Sequence, residues 1–148
     1  DHHWTDWGSR KSAEAIAAAL KDNPTFKNQP KVKFKTTKRY DVSYKKGMAL
    51  ELQRLCTDVL PPEHFIHYST QLDAEGADAL FGDVGGAPST LIGSSFSGID
   101  KFNFSGFLSE STGLNIANHA ISGGGLYNSL ISYISSKEFA KNKPPILF

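Results

Sequence analysis

The chain has 148 residues, of which 39% are hydrophobic and 21% are charged, values typical of one globular domain. A net charge of +1 gives no reason to expect a nucleic-acid partner, and the one cysteine, Cys56, excludes an internal disulfide and a cysteine-rich zinc site. No apolar run approaches the about 20 residues that span a bilayer, and no signal peptide is visible.

The first predicted element is a helix over residues 10–22, capped by Ser9 and ended by Asn23-Pro24. Four apolar residues follow the i, i+3, i+4, i+7 spacing of one buried face: Ala13, Ile16, Ala17 and Leu20. A second helix is predicted over residues 47–57 and a short strand over residues 65–68.

Between the two helices, lysine alternates with other residues over 31–36, which predicts a half-buried strand with residues 39–44 as its hairpin partner. This stretch also carries a basic run: Lys31, Lys33, Lys35, Lys38 and Arg39. The run suits a solvated strand face, and the alternative is a rim that attracts an acidic polymer.

The second half of the chain alternates strands with helices after a glycine-rich connector over residues 82–86. Strands are predicted at residues 90–92, 114–121 and 145–148. The intervening helices have their apolar residues at Phe102, Phe104, Phe107 and Leu108, and at Leu126, Leu130, Ile131 and Ile134. Because this order indicates a parallel sheet, we expect ligands beyond the carboxyl ends of its strands, where Ser95 and a triple-glycine turn lie.

Three side chains could form a serine nucleophile centre. Asp1 and His3 point to the same side of an extended segment, and Ser95 follows the strand at residues 90–92. A histidine can take the serine proton near neutral pH, and a carboxylate can orient the imidazole and stabilise its cation. The alternatives are a solvated terminal histidine and an ordinary turn serine.

Three blocks of the sequence carry a family resemblance. They are Asp1-His2-His3-Trp4-Thr5, Gly93-Ser94-Ser95-Phe96-Ser97 and Asn118-His119-Ala120-Ile121-Ser122-Gly123. Together they resemble the SGNH hydrolase superfamily, and more closely its polysaccharide O-acetyltransferases of the AlgJ and AlgX type. The Asp/His block precedes the serine block, a circularly permuted order that these acetyltransferases share and that ordinary SGNH esterases lack.

The resemblance implies one α/β domain over residues 1–148, an SGNH-hydrolase-like (flavodoxin-like) three-layer sandwich with a parallel central sheet. It implies that Asp1 is the acid, His3 the base and Ser95 the nucleophile that carries an acetyl group. Gly123 would donate a backbone N–H to the oxyanion, with Gly124 as the alternative donor. No metal and no organic cofactor is implied.

The resemblance further implies a polysaccharide acceptor of the alginate kind, an acetyl donor supplied by a membrane-bound acyltransferase, and a periplasmic or extracytoplasmic setting. Because the acid would be the first residue and the last predicted strand ends with the chain, we expect a segment of a longer protein, truncated at both ends. Two other functions stay open: an acetylesterase of the same fold, and a non-catalytic polysaccharide-binding module.

Other candidate residues receive structural interpretations. His64 and His67 have a metal-like spacing but lack a third ligand nearby. We expect His119 to be packed or hydrogen-bonded, Trp4 to form a wall against His3, and His2 to point away from the serine.

Overall fold

The computed structural model describes residues 3–44, 47–73 and 88–148, so the predicted connector at 82–86 lies outside the described residues. The elements in these ranges are α1 (Asp6–Leu20), α2 (Pro24–Lys27), β1 (Phe34–Tyr44), α3 (Met48–Gln53), β2 (Glu63–Leu72), β3 (Ser89–Leu91), α4 (Ser95–Gly98), a 3-10 helix (Asp100–Phe102), α5 (Phe104–Thr112), β4 (Ile116–Asn118), α6 (Gly125–Ile134) and α7 (Lys137–Lys141). No described helix combines the length and apolar character that crossing a membrane requires.

The second half of the chain forms the predicted parallel sheet. β3 pairs in parallel with β4, from Ser89 opposite Ile116 to Leu91 opposite Asn118. On its other edge β3 forms a parallel bridge with residues 146–148, in which the Phe148 N–H donates to the Thr90 carbonyl oxygen at 2.8 Å. β3 is therefore central and buried along its length, and helices make both crossover connections.

The first half of the chain contributes an antiparallel ribbon of β1 and β2. The two strands pair from Phe34 opposite Leu72 to Tyr44 opposite Glu63, so the predicted hairpin between residues 31–36 and 39–44 is wrong. The register shifts between Lys38 and Tyr40, which leaves Arg39 as an extra residue in β1. Such a bulge breaks the period-two alternation without ending the strand, which explains why the pattern suggested a turn.

The main core lies between α1, α5 and the parallel sheet. Its buried members are Ala13, Leu91, Phe104, Phe107 and Leu108. The guanidinium carbon of Arg10 lies 4.4 Å from the centroid of the Phe107 ring, so a charged group packs on an aromatic ring of this core.

The first helix begins earlier than its sequence pattern predicts. Thr5 is the N-cap, since its side-chain oxygen accepts the Gly8 N–H at 3.2 Å. Ser9 is fully buried inside the helix and donates its hydroxyl to the Phe102 carbonyl oxygen at 2.8 Å. The prediction that Ser9 caps the helix is therefore wrong, and Ser9 instead joins α1 to the 3-10 helix.

The helix α6 turns a different face to the sheet than its apolar residues predict. Among the side chains of α6 that the structure describes, Ser129 and Tyr133 are the buried ones, while Ile131 is 56% exposed. The Tyr133 hydroxyl lies 2.9 Å from Thr90 Oγ1, and this buried polar pair fixes the rotation of the helix. α3 is also shorter than predicted, because it ends at Gln53.

Candidate active site

Ser95 lies where the central strand of the parallel sheet gives way to a helix. Ile92 and Gly93 continue β3, and Ser95 is the first residue of α4. A Cβ on Gly93 would lie 2.7 Å from Ser97 Oγ, so only glycine leaves room for the helix to turn back over the strand. Among the described residues no acceptor takes the Ser95 N–H, as expected at the first position of a helix.

His3 and Ser95 are in hydrogen-bond contact across 92 residues of sequence. Their Nε2 and Oγ atoms lie 2.8 Å apart. A neutral His3 with its proton on Nδ1 accepts this hydrogen bond from the serine hydroxyl. The contact is held by the N-terminal end of α1, since the helix that follows His3 is anchored to the Phe102 carbonyl through Ser9.

Aromatic rings and a nearby cation set the properties of the His3 imidazole. Its ring stacks on Phe102 with a centroid distance of 5.6 Å and contacts Phe96 at 4.9 Å. Burial lowers the pKa of His3 below its ordinary value, and the Lys101 ammonium lowers it further. Both effects favour the neutral imidazole, which is the form that can accept a proton.

The third sequence block, Asn118 to Gly123, is hydrogen-bonded directly to the nucleophile helix. Asn118 donates from Nδ2 to the Ser97 carbonyl oxygen at 2.8 Å, and its Oδ1 accepts the Ala120 N–H at 3.0 Å. Ala120 lies against α4, since a Cβ on Gly98 would lie 3.2 Å from its carbonyl oxygen. Sequence reasoning assigned no role to Asn118, although it is the first residue of the block.

A buried hydroxyl on α6 forms hydrogen bonds to the turn before Ser95 and to the turn after β4. Ser129 on α6 is completely buried; its Oγ accepts the Gly93 N–H at 3.3 Å and donates to the His119 carbonyl oxygen at 2.9 Å. Ser129 thereby links the turn before Ser95 with the turn after β4. A serine within a helix gives no sequence signal of such a bridge.

The triple-glycine turn begins with Gly123, the last residue of the third sequence block, and its glycines differ in their backbone conformation. Gly123 has a φ of 79°, a conformation that suits glycine, and no described acceptor takes its N–H. The Gly124 N–H instead donates to the Ile121 carbonyl oxygen at 3.3 Å. Of the two predicted oxyanion donors, Gly123 is thus the one whose N–H is not engaged within the turn.

A cavity of about 270 Å³ opens beside the base. Its lining residues are His3, Trp4, Thr5, Glu63, His64, Phe65 and Phe102. The Lys101 ammonium lies 5.4 Å from the Phe65 ring centroid and 4.7 Å from that of Phe102, so positive charge adjoins the aromatic wall. An acyl group or a sugar in this cavity would contact the His3 imidazole directly.

The remaining predicted residues have varied positions. Asp1 and His2 lie outside the described residues. His119 is packed as predicted, with its ring 4.7 Å from Tyr133 and Nε2 3.4 Å from a Glu138 carboxylate oxygen. Trp4 packs on Phe96 at 5.5 Å, and so supports His3 through an intervening ring.

Despite their metal-like spacing, His64 and His67 do not belong to a group of three possible metal ligands among the described residues. His67 stacks on Tyr40 with ring centroids 4.8 Å apart. Within the described ranges, no three side chains of the histidine, cysteine, aspartate or glutamate type are grouped closely enough to hold a metal ion.

Known proteins are similar to this chain in both sequence and fold. The family model described as SGNH hydrolase-like domain, acetyltransferase AlgX, matches residues 1–148. Alginate biosynthesis protein AlgX of Azotobacter vinelandii is 40% identical over 148 residues, which cover 99% of this chain and 30% of that protein.

Two solved structures extend the comparison to three dimensions. AlgX of Pseudomonas aeruginosa aligns with a TM-score of 0.86 at 39% identity, over 99% of this chain and 35% of that one. The O-acetyltransferase domain of Pseudomonas putida AlgJ aligns with a TM-score of 0.78 at 25% identity, over 99% of this chain and 49% of that one.

These matches confirm the α/β fold and the family that the three sequence blocks predict. The chain spans about 30% of the length of the curated AlgX relative from Azotobacter vinelandii. With the family model matched from the first residue to the last, the chain belongs to the SGNH hydrolase-like domain family of the acetyltransferase AlgX.

Proposed function

We propose that this protein is an O-acetyltransferase that transfers acetyl groups to a bacterial exopolysaccharide of the alginate kind through an acetyl-serine intermediate. The observation that carries the proposal is the 2.8 Å contact between His3 Nε2 and Ser95 Oγ. The family description and the O-acetyltransferase domain of Pseudomonas putida AlgJ support the reaction type. The alginate biosynthesis relatives support the choice of polymer.

In the first half-reaction, His3 Nε2 takes the Ser95 proton while Oγ attacks the carbonyl carbon of an acetyl donor. The carbonyl oxygen becomes an oxyanion, and we propose that the backbone N–H groups of Ser95 and Gly123 stabilise it, an effect of about 3–4 kcal/mol per donor in comparable sites. Collapse of this intermediate breaks the bond to the leaving group, which takes the proton from His3. The acetyl group remains on Ser95.

In the second half-reaction, His3 takes a proton from a sugar hydroxyl, and the resulting alkoxide attacks the acetyl-serine carbonyl. The oxyanion forms again, the Ser95 Oγ–carbon bond breaks, and the His3 proton returns to Ser95. We propose that Asp1 accepts the Nδ1–H of His3 and stabilises the imidazolium, since the side chains two residues apart in an extended segment share one face.

The donor and the setting are also part of the proposal. We propose that a membrane-bound acyltransferase supplies the acetyl group and that the reaction takes place in the periplasm or another extracytoplasmic compartment. Both proposals follow from the family resemblance of the three sequence blocks, and the relatives are named alginate biosynthesis proteins.

The test is intact-mass spectrometry of the protein after incubation with a chromogenic acetyl ester. We expect the wild type to gain the mass of one acetyl group, and Ser95→Ala to gain none. Ser94→Ala and Ser97→Ala are matched controls on either side of the nucleophile, and both should still be acetylated. The proposal would be contradicted if Ser95→Ala still gained the acetyl mass, or if the wild type gained none.

Transfer and hydrolysis are separated by adding an acceptor. With alginate oligosaccharides present, we expect acetylated sugar to form at the expense of free acetate. If acetate release is unchanged and the oligosaccharide stays unmodified, the same residues constitute an acetylesterase.

A further inference from the structure

We infer that a groove along the edge of β2 facing α4 binds a segment of the acidic polysaccharide, an inference that rests on the proposed function. The groove is a cavity of about 210 Å³, distinct from the cavity beside His3. One wall is residues 67–70 of β2, and the other is the segment from α4 to the start of α5. Ser97, in the single helical turn that begins at Ser95, contributes to it, so the groove adjoins the nucleophile helix.

The lining of the groove has the chemistry that a sugar requires. Hydroxyl groups come from Ser69, Thr70, Ser97 and Ser105, and Asn103 contributes an amide. Hydroxyls both donate and accept hydrogen bonds, which matches the alternating donors and acceptors of a sugar ring. The Asn103 Nδ2 donates to Thr70 Oγ1 at 2.9 Å and thereby links the two walls of the groove.

An arginine lies at the rim of the groove because of the bulge in β1. Arg39 is the extra residue at the register shift, and its Nη2 donates to Ser69 Oγ at 3.3 Å. No described carboxylate forms an ion pair with Arg39. A guanidinium at this position can bind the carboxylate of a uronic acid whose hydroxyls contact the groove.

The lysines of the basic run differ in their contacts in the structure. Lys31 lies over the Phe26 ring at 3.1 Å, and Lys38 pairs with Asp41 at 2.8 Å. Lys35 is opposite Gln71, two residues from Ser69 on the same face of β2, so its ammonium adds to the positive charge near Arg39.

An aromatic pair continues the same face past the bulge. Tyr40 is 59% exposed and stacks on His67, which itself lines the groove. Asp100 is the acidic residue of the lining; it can accept sugar hydroxyls and repels carboxylates toward the Arg39 rim. A polymer with a carboxylate on each sugar fits this division better than a neutral chain.

The experiment measures binding of alginate oligosaccharides to the protein by isothermal titration calorimetry at low salt. Arg39→Gln is expected to weaken binding about threefold to fivefold, as for loss of an exposed ion pair, and the difference should shrink as salt is added. Arg54→Gln is the matched control, because Arg54 is an exposed arginine just after α3, outside the lining of the groove, and its replacement should leave affinity unchanged. Ser105→Phe, which fills the groove, should weaken binding further.

Two results would overturn the inference. One is equal affinity in the Arg39→Gln and Arg54→Gln variants, and the other is equally tight binding of a neutral cello-oligosaccharide of the same length. Thermal melting checks that each variant folds. Arg54 contacts neither His3 nor Ser95, so turnover of a chromogenic acetyl ester should be unchanged in Arg54→Gln. Because binding is measured without acetyl transfer, failure of this inference can be told apart from failure of the proposed acetyl transfer.

Discussion

Asn118 at the end of β4 and Ser97 in α4 are joined by a hydrogen bond from the amide Nδ2 to the carbonyl oxygen, at 2.8 Å. The bond holds the nucleophile helix against the turn that carries the third sequence block, Asn118 to Gly123. Because α4 is a single helical turn, this external contact contributes to fixing the direction in which Ser95 points.

We expect Asn118→Ala to reduce the rate of Ser95 acetylation about tenfold, since small errors in nucleophile placement are costly. The hydrogen bond is near the surface, so the free energy of unfolding should fall by about 0.5–1.5 kcal/mol. Rapid-quench mass spectrometry measures the rate, and urea denaturation measures the stability. Asn142→Ala, at an exposed helix end, is the matched control. Equal acetylation rates in the two variants would show that Asn118 does not position the nucleophile.

Ser129→Ala should have the larger effect on stability. The substitution leaves the Gly93 N–H and the His119 carbonyl oxygen without their buried partner, which costs about 1–3 kcal/mol. Ser132→Ala on the exposed side of the same helix removes a hydroxyl without such partners and should be nearly neutral. Both are measured by urea denaturation, and similar midpoints for the two variants would contradict the bridging role.

The sequence predicts the parallel sheet well because its strands and turns have local signals. Three short apolar strands alternate with helices, and glycine turns follow the strands at the site. The contact between His3 and Ser95 was predictable from chemistry and family motifs, since the hydroxyl requires a base.

What the sequence does not predict depends on partners distant along the chain. Asn118 and Ser129 bind backbone atoms of segments 21 and 36 residues away, and no periodicity marks such bonds. The bulge in β1 led to a predicted turn because Arg39, as an extra residue, interrupts the alternation of side chains along the strand. In α6, buried polar contacts of Ser129 and Tyr133 outweigh the apolar pattern that suggested a buried Ile131.

The pH dependence of ester turnover should depend on the positive charge of Lys101 near His3. Lys101 lowers the pKa of His3, after the larger effect of burial. Lys101→Gln should therefore raise the His3 pKa, so that less of the base is neutral on the acid side. The acid limb of the kcat/KM profile is expected to move to higher pH, with the alkaline plateau unchanged.

Two further variants test whether charge is the cause of that shift. Lys101→Arg keeps the cation and should restore the wild-type profile, while Lys137→Gln on α7 removes a distant lysine and should not move it. High salt should reduce the difference between Lys101→Gln and the wild type. A profile that moves to lower pH in Lys101→Gln, or that does not move, would contradict this electrostatic role.

The close approach of Gly93 to Ser97 gives a test that needs no assay of function. Gly93→Ala places a Cβ 2.7 Å from Ser97 Oγ and 2.9 Å from Ser97 Cβ, an overlap that should destabilise the fold by about 1–3 kcal/mol. The next neighbour, Ala120 Cβ, is at an ordinary 3.7 Å, so removing the Ser97 side chain should relieve the strain. The double variant Gly93→Ala/Ser97→Gly is therefore expected to be destabilised by less than the sum of the single changes. Additive losses in urea denaturation would place the cost of Gly93→Ala in the backbone rather than in this contact.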